Sequence, residues 1–153
     1  MRLDTVDHAI LGILQEEGRL SNADLAERVG LSASACHRRV RMLESSGVIS
    51  NYVALLEPEA VGRRLMVVAF VTLENQRRET MESFEAAVAD IEEVMECSLM
   101  AGAEDYILRI MVRDARDYER VHRERLSGLP GVARLVSNMV LRRVFARTAL
   151  PLG

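Results

Sequence analysis

Ser34, His37, Arg38 and Arg41 recur at intervals that place polar donors on one side of a helix. An arginine fork can bond guanine O6 and N7 in bidentate fashion. Serine and histidine can bond other base edges or phosphate oxygens. A helix with such a face can enter the DNA major groove if its opposite face is packed on a neighbouring helix. Ala33, Cys36, Val40 and Leu43 supply that opposite face. Arg39 falls on the flank, as a phosphate contact or as an ion-pair partner.

The elements that must hold this helix are written on its N-terminal side. Ser21 is an N-cap residue, and Asp24 three positions later completes a capping-box-like pattern. Ala23, Leu25, Ala26 and Val29 form an apolar stripe, and Gly30 supplies a left-handed stop. Leu31 anchors the turn and Ser32 caps the next helix. Asp4 caps an earlier helix whose apolar face is Val6, Ile10, Leu11 and Leu14, with Gly18 after it. Three short helices around one interior make a helix-turn-helix headpiece. Ser21, Ser32, Ser34, His37, Arg38, Arg39 and Arg41 are its candidate DNA-binding residues. Val48, Ile49, Tyr52 and Val53 suggest a short strand or wing.

Residues 1–56 are assigned to this headpiece and residues 57–63 to a linker, since Pro58 disfavours helix at Glu57 and Gly62 permits a turn. Residues 64–153 form the second domain. Leu65–Leu73 reads as a buried strand. Thr80–Ala89 reads as a helix with Met81, Phe84 and Val88 inward. Val94–Ala101 and Tyr106–Val112 read as a hairpin around Gly102–Asp105. Asp114 caps a helix to about Leu126, Leu129-Pro130-Gly131 is a stop and turn, and Val132–Phe145 reads as a long final strand. The order βαββαβ predicts a ferredoxin-like α+β domain, an antiparallel sheet with two helices on one face. Met66, Met95, Met100, Met111 and Met139 lie in or beside these strands. The bare sheet face is therefore expected to be apolar and to pack on a second copy of the chain.

The chain has 153 residues, is 49% hydrophobic and carries a net charge of −3. All 20 basic residues are arginine. Residues 1–60 hold six Arg against nine Asp or Glu, so even the headpiece is acidic, and non-specific DNA affinity is expected to be modest. Low aromatic content and the absence of Trp argue against a base-stacking single-strand binder. No apolar run approaches the roughly 18 residues of a membrane span, and no signal-peptide pattern opens the chain, which points to the cytosol. Cys36 and Cys97 are expected as buried free thiols. No His/Cys group has zinc spacing and no Gly-rich phosphate loop appears, so no cofactor, metal or catalytic residue is expected.

At this point the chain resembles the Lrp/AsnC (leucine-responsive, feast/famine) regulators over nearly its whole length. The resemblance is carried by Leu3-Asp4, Asp7, Ile10-Leu11, Gly18-Arg19, Leu25-Ala26, Val29-Gly30-Leu31-Ser32, Arg38-Arg39-Val40, Leu43-Glu44 and Gly47-Val48-Ile49 in the headpiece. In the second domain it is carried by Glu96-Cys97, Gly102 with Asp105-Tyr106, Leu129-Pro130-Gly131-Val132 and Thr148-Ala149-Leu150-Pro151-Leu152. The resemblance implies a transcription regulator binding roughly palindromic double-stranded DNA. It implies an amino-acid effector, and dimers that assemble further, often to octamers. It places the effector pocket around Met100, Gly102, Ala103, Glu104, Asp105 and Tyr106, with Ser137 and Asn138 from the last strand. Two alternatives share the architecture: an enzyme of the siroheme-decarboxylase type, and a small-molecule sensor that does not bind DNA. The histidine-free stretch NYVALLEPEAVG argues against the first, and the arginine face of the headpiece against the second.

Overall fold

The computed structural model describes residues 2–152 and divides the chain into two compact units, Met1–Leu55 with Val144–Gly153, and Leu56–Arg143. In the first unit, helix α1 (Thr5–Glu16) starts at Asp4, whose carboxylate accepts from the Asp7 amide while Asp7 accepts from the Asp4 amide. Helix α2 (Asn22–Val29) is capped by Ser21 and ends at Gly30, which is left-handed at φ 68°. Helix α3 (Ala33–Ser45) is capped by Ser32. Ile10, Leu11, Leu25, Ala26, Cys36 and Leu43 form one buried core, and Val40 packs against it. Ala23 and Ala33, expected inside, are exposed.

Residues 48–53 form no strand. Val48 and Ile49 lie in a bend, the residues after them have no ladder partner among the described residues, and Val53 and Leu55 are exposed. The tail residues from Val144 belong to the first unit, whereas the sequence pattern assigns them to the second. Gln15 of α1 holds the tail by accepting from the Leu150 amide at 2.6 Å and donating to the Leu150 carbonyl at 3.2 Å.

The second unit is a four-stranded antiparallel sheet in the order β2-β3-β1-β4, with β1 Leu65–Leu73, β2 Val94–Leu99, β3 Tyr106–Val112 and β4 Val132–Met139. Helices α4 (Arg78–Ala89) and α5 (Ala115–Val121, continued by a π-helical turn to Leu126) supply the helical layer. Strand pleating sends Val67, Ala69, Val71 and Leu73 of β1, with Tyr106, Leu108, Ile110 and Val112 of β3, into one core with Phe84, Val88, Tyr118 and Val121. The alternate residues Met66, Val68, Phe70, Ile107 and Met111 lie on the opposite sheet face, where Met66 stands across from Met111.

Strand β4 stops at Met139, six residues before the expected Phe145. The ladder runs out because Met139 pairs with Val67 and the Val140 amide donates to the Met66 carbonyl, next to the first residue of β1. Gly131, at φ 70°, is required at its turn: a Cβ there would lie 2.4 Å from Thr80 Cγ2. Cys36 is buried as expected, but Cys97 is exposed, because β2 is an edge strand that the helices leave largely uncovered.

Asp117 ties β3, α5 and the linker end together. It is buried, accepts from Arg113 through the backbone amide and guanidinium, and accepts from Arg120; Arg63 approaches to 3.9 Å. The Arg113 hydrogen bonds chiefly hold its carboxyl well below the ordinary value of 3.8. A carboxyl depressed on folding stabilises the protein fully above its unfolded value and loses that stability as pH falls below it. Asp117→Asn is expected to cost on the order of 2 kcal/mol at neutral pH, allowing for the solvent around the arginines. It is also expected to flatten the loss of stability below about pH 4. Urea titrations of both proteins from pH 7 to pH 3 check this; parallel curves would assign the depression no role in stability.

Candidate functional site

Helix α3 presents Ser34, His37, Arg38 and Arg41 to solvent, opposite buried Cys36 and Leu43. Their freedom differs from that of the other candidates. Arg38 makes one weak contact, with Met42 Sδ at 3.7 Å, and Arg41 one loose ion pair, with Glu44 at 3.6 Å. Arg39 is engaged: its Nη1 lies 2.8 Å from both Asp4 and Asp7, clamping α3 to the start of α1. Of the two roles expected for Arg39, the fold uses the ion pair. The same guanidinium, after the Asp7 amide, lowers the Asp4 carboxyl below its usual range. Ser21 and Ser32 spend their oxygens on the amides of Asp24 and Ala35. Asn22, missed in the sequence, donates to the Ala33 carbonyl at 2.9 Å and so ties the two helices of the motif.

In the second unit the turn between β2 and β3 leaves Met100, Gly102 and Ala103 exposed and Glu104 half-buried. No intramolecular acceptor is present for the amides of residues 101–104 among the described residues. A Cβ at Gly102 would meet nothing within 4 Å, so the turn surface there is open. Asp105 is buried, and its carboxylate accepts from the Leu73 amide and from Gln76 Nε2, both at 2.7 Å. Those bonds pin the turn to the end of β1. Tyr106 is a core residue, stacked near Phe84 at 4.7 Å between centroids, with its hydroxyl donating to Glu85 at 2.6 Å. Burial, then Glu85, pushes that phenol well above its usual range, so it stays a donor.

The remaining candidates do not gather at this turn. Ser137 and Asn138 pair with Ala69 and Val68, with β1 between them and β3. Pleating also separates the two: Ser137 bonds the Tyr118 hydroxyl on the helix side, and Asn138 is on the other face. Arg134, missed in the sequence, reaches from β4 to within 3.9 Å of Glu104 in the turn. Neither Gln76 nor Arg134 carries a local signal, because each meets its partner only across the sheet.

A helix-turn-helix headpiece joined to a ferredoxin-like domain with an exposed hairpin turn defines a two-domain ligand-responsive DNA-binding protein. Residues 3–50 match the winged helix-turn-helix DNA-binding family and residues 66–150 the Lrp/AsnC ligand binding domain. The chain is 42% identical over 142 residues to the leucine-responsive regulatory protein of Salmonella typhimurium, covering 93% of this chain and 87% of that protein. It superposes with a TM-score of 0.93 and 37% identity on the L-Met complex of a Neisseria meningitidis transcriptional regulator, covering 98% and 97% of the two chains. An AsnC family regulator from Agrobacterium tumefaciens gives a TM-score of 0.93 at 34% identity, covering 97% of each. The chain belongs to the Lrp/AsnC family of transcriptional regulators. No helix among the described residues is long and apolar enough to cross a membrane.

Proposed function

We propose that this regulator reads its operator with Ser34, His37, Arg38 and Arg41, and that an amino acid bound at the turn of residues 100–104 alters its assembly or DNA affinity. The observation that carries the first half is the exposed, loosely paired donor face of α3. Arg39 supports that face by holding α3 on α1. For the second half, unpaired turn amides suit an α-carboxylate, and Met100 and Leu99 offer apolar surface beside them. The relative complexed with L-Met supports an amino acid as the class of effector. The apolar face bearing Val68, Phe70, Ile107 and Val136 suits a second copy of the chain, giving a dimer and a two-fold symmetric DNA site. Residues 57–63, expected from the sequence as a linker, fall inside the second compact unit, which begins at Leu56, and the protein works as a cytoplasmic binding protein without enzymatic turnover.

Selection of sheared genomic fragments on the purified protein, with and without each of the twenty amino acids, tests this reading. Recovery of a few palindromic fragments, altered by one amino acid or a small set, is the expected result. An effector works only through a difference in affinity between states, so the same amino acid must shift the light-scattering mass or the DNA affinity. Retention without sequence selection in every condition would overturn the reading.

A further inference from the structure

Arg64, Arg142 and Arg143 line one cleft of the second unit, together with Arg63, Glu57, Glu59 and, from the edge of the bare sheet face, Met66 and Met111. Arg63 is occupied with Asp117 and Glu92. Arg64, Arg142 and Arg143 are exposed and form no ion pair among the described residues, with Glu57 and Glu59 included. From Arg125 to the end the sequence has five Arg and no Asp or Glu. The cleft is lined by residues close in the chain to Leu56, where it enters the second unit, and to Arg143, where it leaves. It has no enclosed polar pocket for a small ligand: Glu57, Glu59, Arg64, Leu141, Arg142 and Arg143 are all open to solvent.

We propose that Arg64, Arg142 and Arg143 form a second, sequence-independent contact to the phosphate backbone of double-stranded DNA. The inference rests on the reading of α3 as a DNA-reading helix. Binding to duplex DNA draws its sequence-independent affinity from cations that neutralise phosphates and release counterions. The first 60 residues are poor in such cations, with six Arg against nine acids, and Arg28 and Arg39 are already paired. Unpaired guanidinium groups on exposed chain next to both crossings fill that deficit. The arginine fork matches phosphate oxygens without regard to base sequence. An acidic partner protein would fit the charge as well, but the polyanion that this same chain is built to read is DNA.

The test uses the full chain and a random-sequence 40-base-pair duplex, titrated by fluorescence anisotropy at several KCl concentrations. Wild type is compared with the triple variant Arg64→Gln, Arg142→Gln, Arg143→Gln and with the corresponding triple Lys variant. Light scattering and circular dichroism accompany each. Without these three guanidinium–phosphate pairs, the slope of log K against log salt should shrink by about 2.7 per engaged subunit. From 50 to 200 mM salt the affinity of the Gln variant should therefore fall about 40-fold less than that of wild type. The Lys variant should keep the wild-type slope. An unchanged slope in the folded Gln variant overturns the proposal alone, leaving α3 as the reader. An unchanged slope with an altered mass overturns it in favour of contacts with a second copy. A Lys variant that behaves like the Gln variant also overturns it, since charge would then not be what acts. Wild type that binds no duplex at 50 mM salt overturns both readings.

Discussion

A chain carrying both Arg38→Ala and Arg41→Ala is expected to lose about 30- to 1000-fold in affinity for its selected operator, or about 2–4 kcal/mol, with thermal stability nearly unchanged. The two arginines stand one turn apart on the exposed side of α3, where each can form a bidentate pair with a guanine or bind a phosphate. Their contacts within the protein are slight: a sulfur at 3.7 Å for Arg38 and, for the exposed Arg41, the half-buried Glu44 carboxylate at 3.6 Å. Exposed pairs of that kind add little to stability. The adjacent Arg39→Ala should behave in the opposite way. It releases Asp4 and Asp7 at the junction of α1 and α3, so the headpiece should melt earlier and DNA binding should weaken because the reading helix is no longer held. Anisotropy on operator and random duplexes separates the cases. The double variant should lose operator affinity more than random-duplex affinity, and equal losses on both would reassign Arg38 and Arg41 to phosphates.

Phe84→Ala should be the most damaging single substitution in the second unit, at about 3–5 kcal/mol. The Phe84 side chain is fully buried between α4 and the sheet, 4.7 Å from the Tyr106 ring, with Val88 and Tyr106 also in the core. Its removal discards transfer energy and leaves a cavity that helix and sheet can close only by moving toward each other. Because Tyr106 follows Asp105 directly, loosening its ring should also disturb the turn of residues 100–104. Urea unfolding gives the energy, and amino-acid titration of the folded variant gives the consequence at the turn. A loss below about 1 kcal/mol would mean that the layers do collapse onto the vacancy.

Which parts of this were legible follows from the range of the forces involved. Helix starts at Asp4, Ser21, Ser32 and Asp114 were legible because a cap bonds an amide three residues away. The strand-rich second half was legible from alternation and turn residues, and β1 matches its expected bounds. The end of β4 was not, since Val140–Phe145 carries the same strand-like residues as the paired part, and strand length is set by where β1 begins. Asp105 reads as a turn residue that could also hold a ligand; its partners Leu73 and Gln76 lie 32 and 29 residues away. Tyr106 reads as a pocket or interface aromatic; only the register of β3 against β1 turns it into the core.

By itself, then, the sequence determined the βαββαβ order, the three-helix headpiece, the donor face of α3 and the membership of a regulator family. The first three depend on residue type at spacings of a few positions, which local backbone geometry translates directly, whereas the family follows from resemblance over nearly the whole chain. Tertiary structure decided which candidate side chains remain free to act. It closed Arg39 onto α1, locked Asp105 under the hairpin and set Ser137 and Asn138 on opposite faces of one strand. It left Arg38, Arg41 and the amides of residues 101–104 open. That choice rests on partners distant in the chain, and only packing the layers together brings those partners within reach.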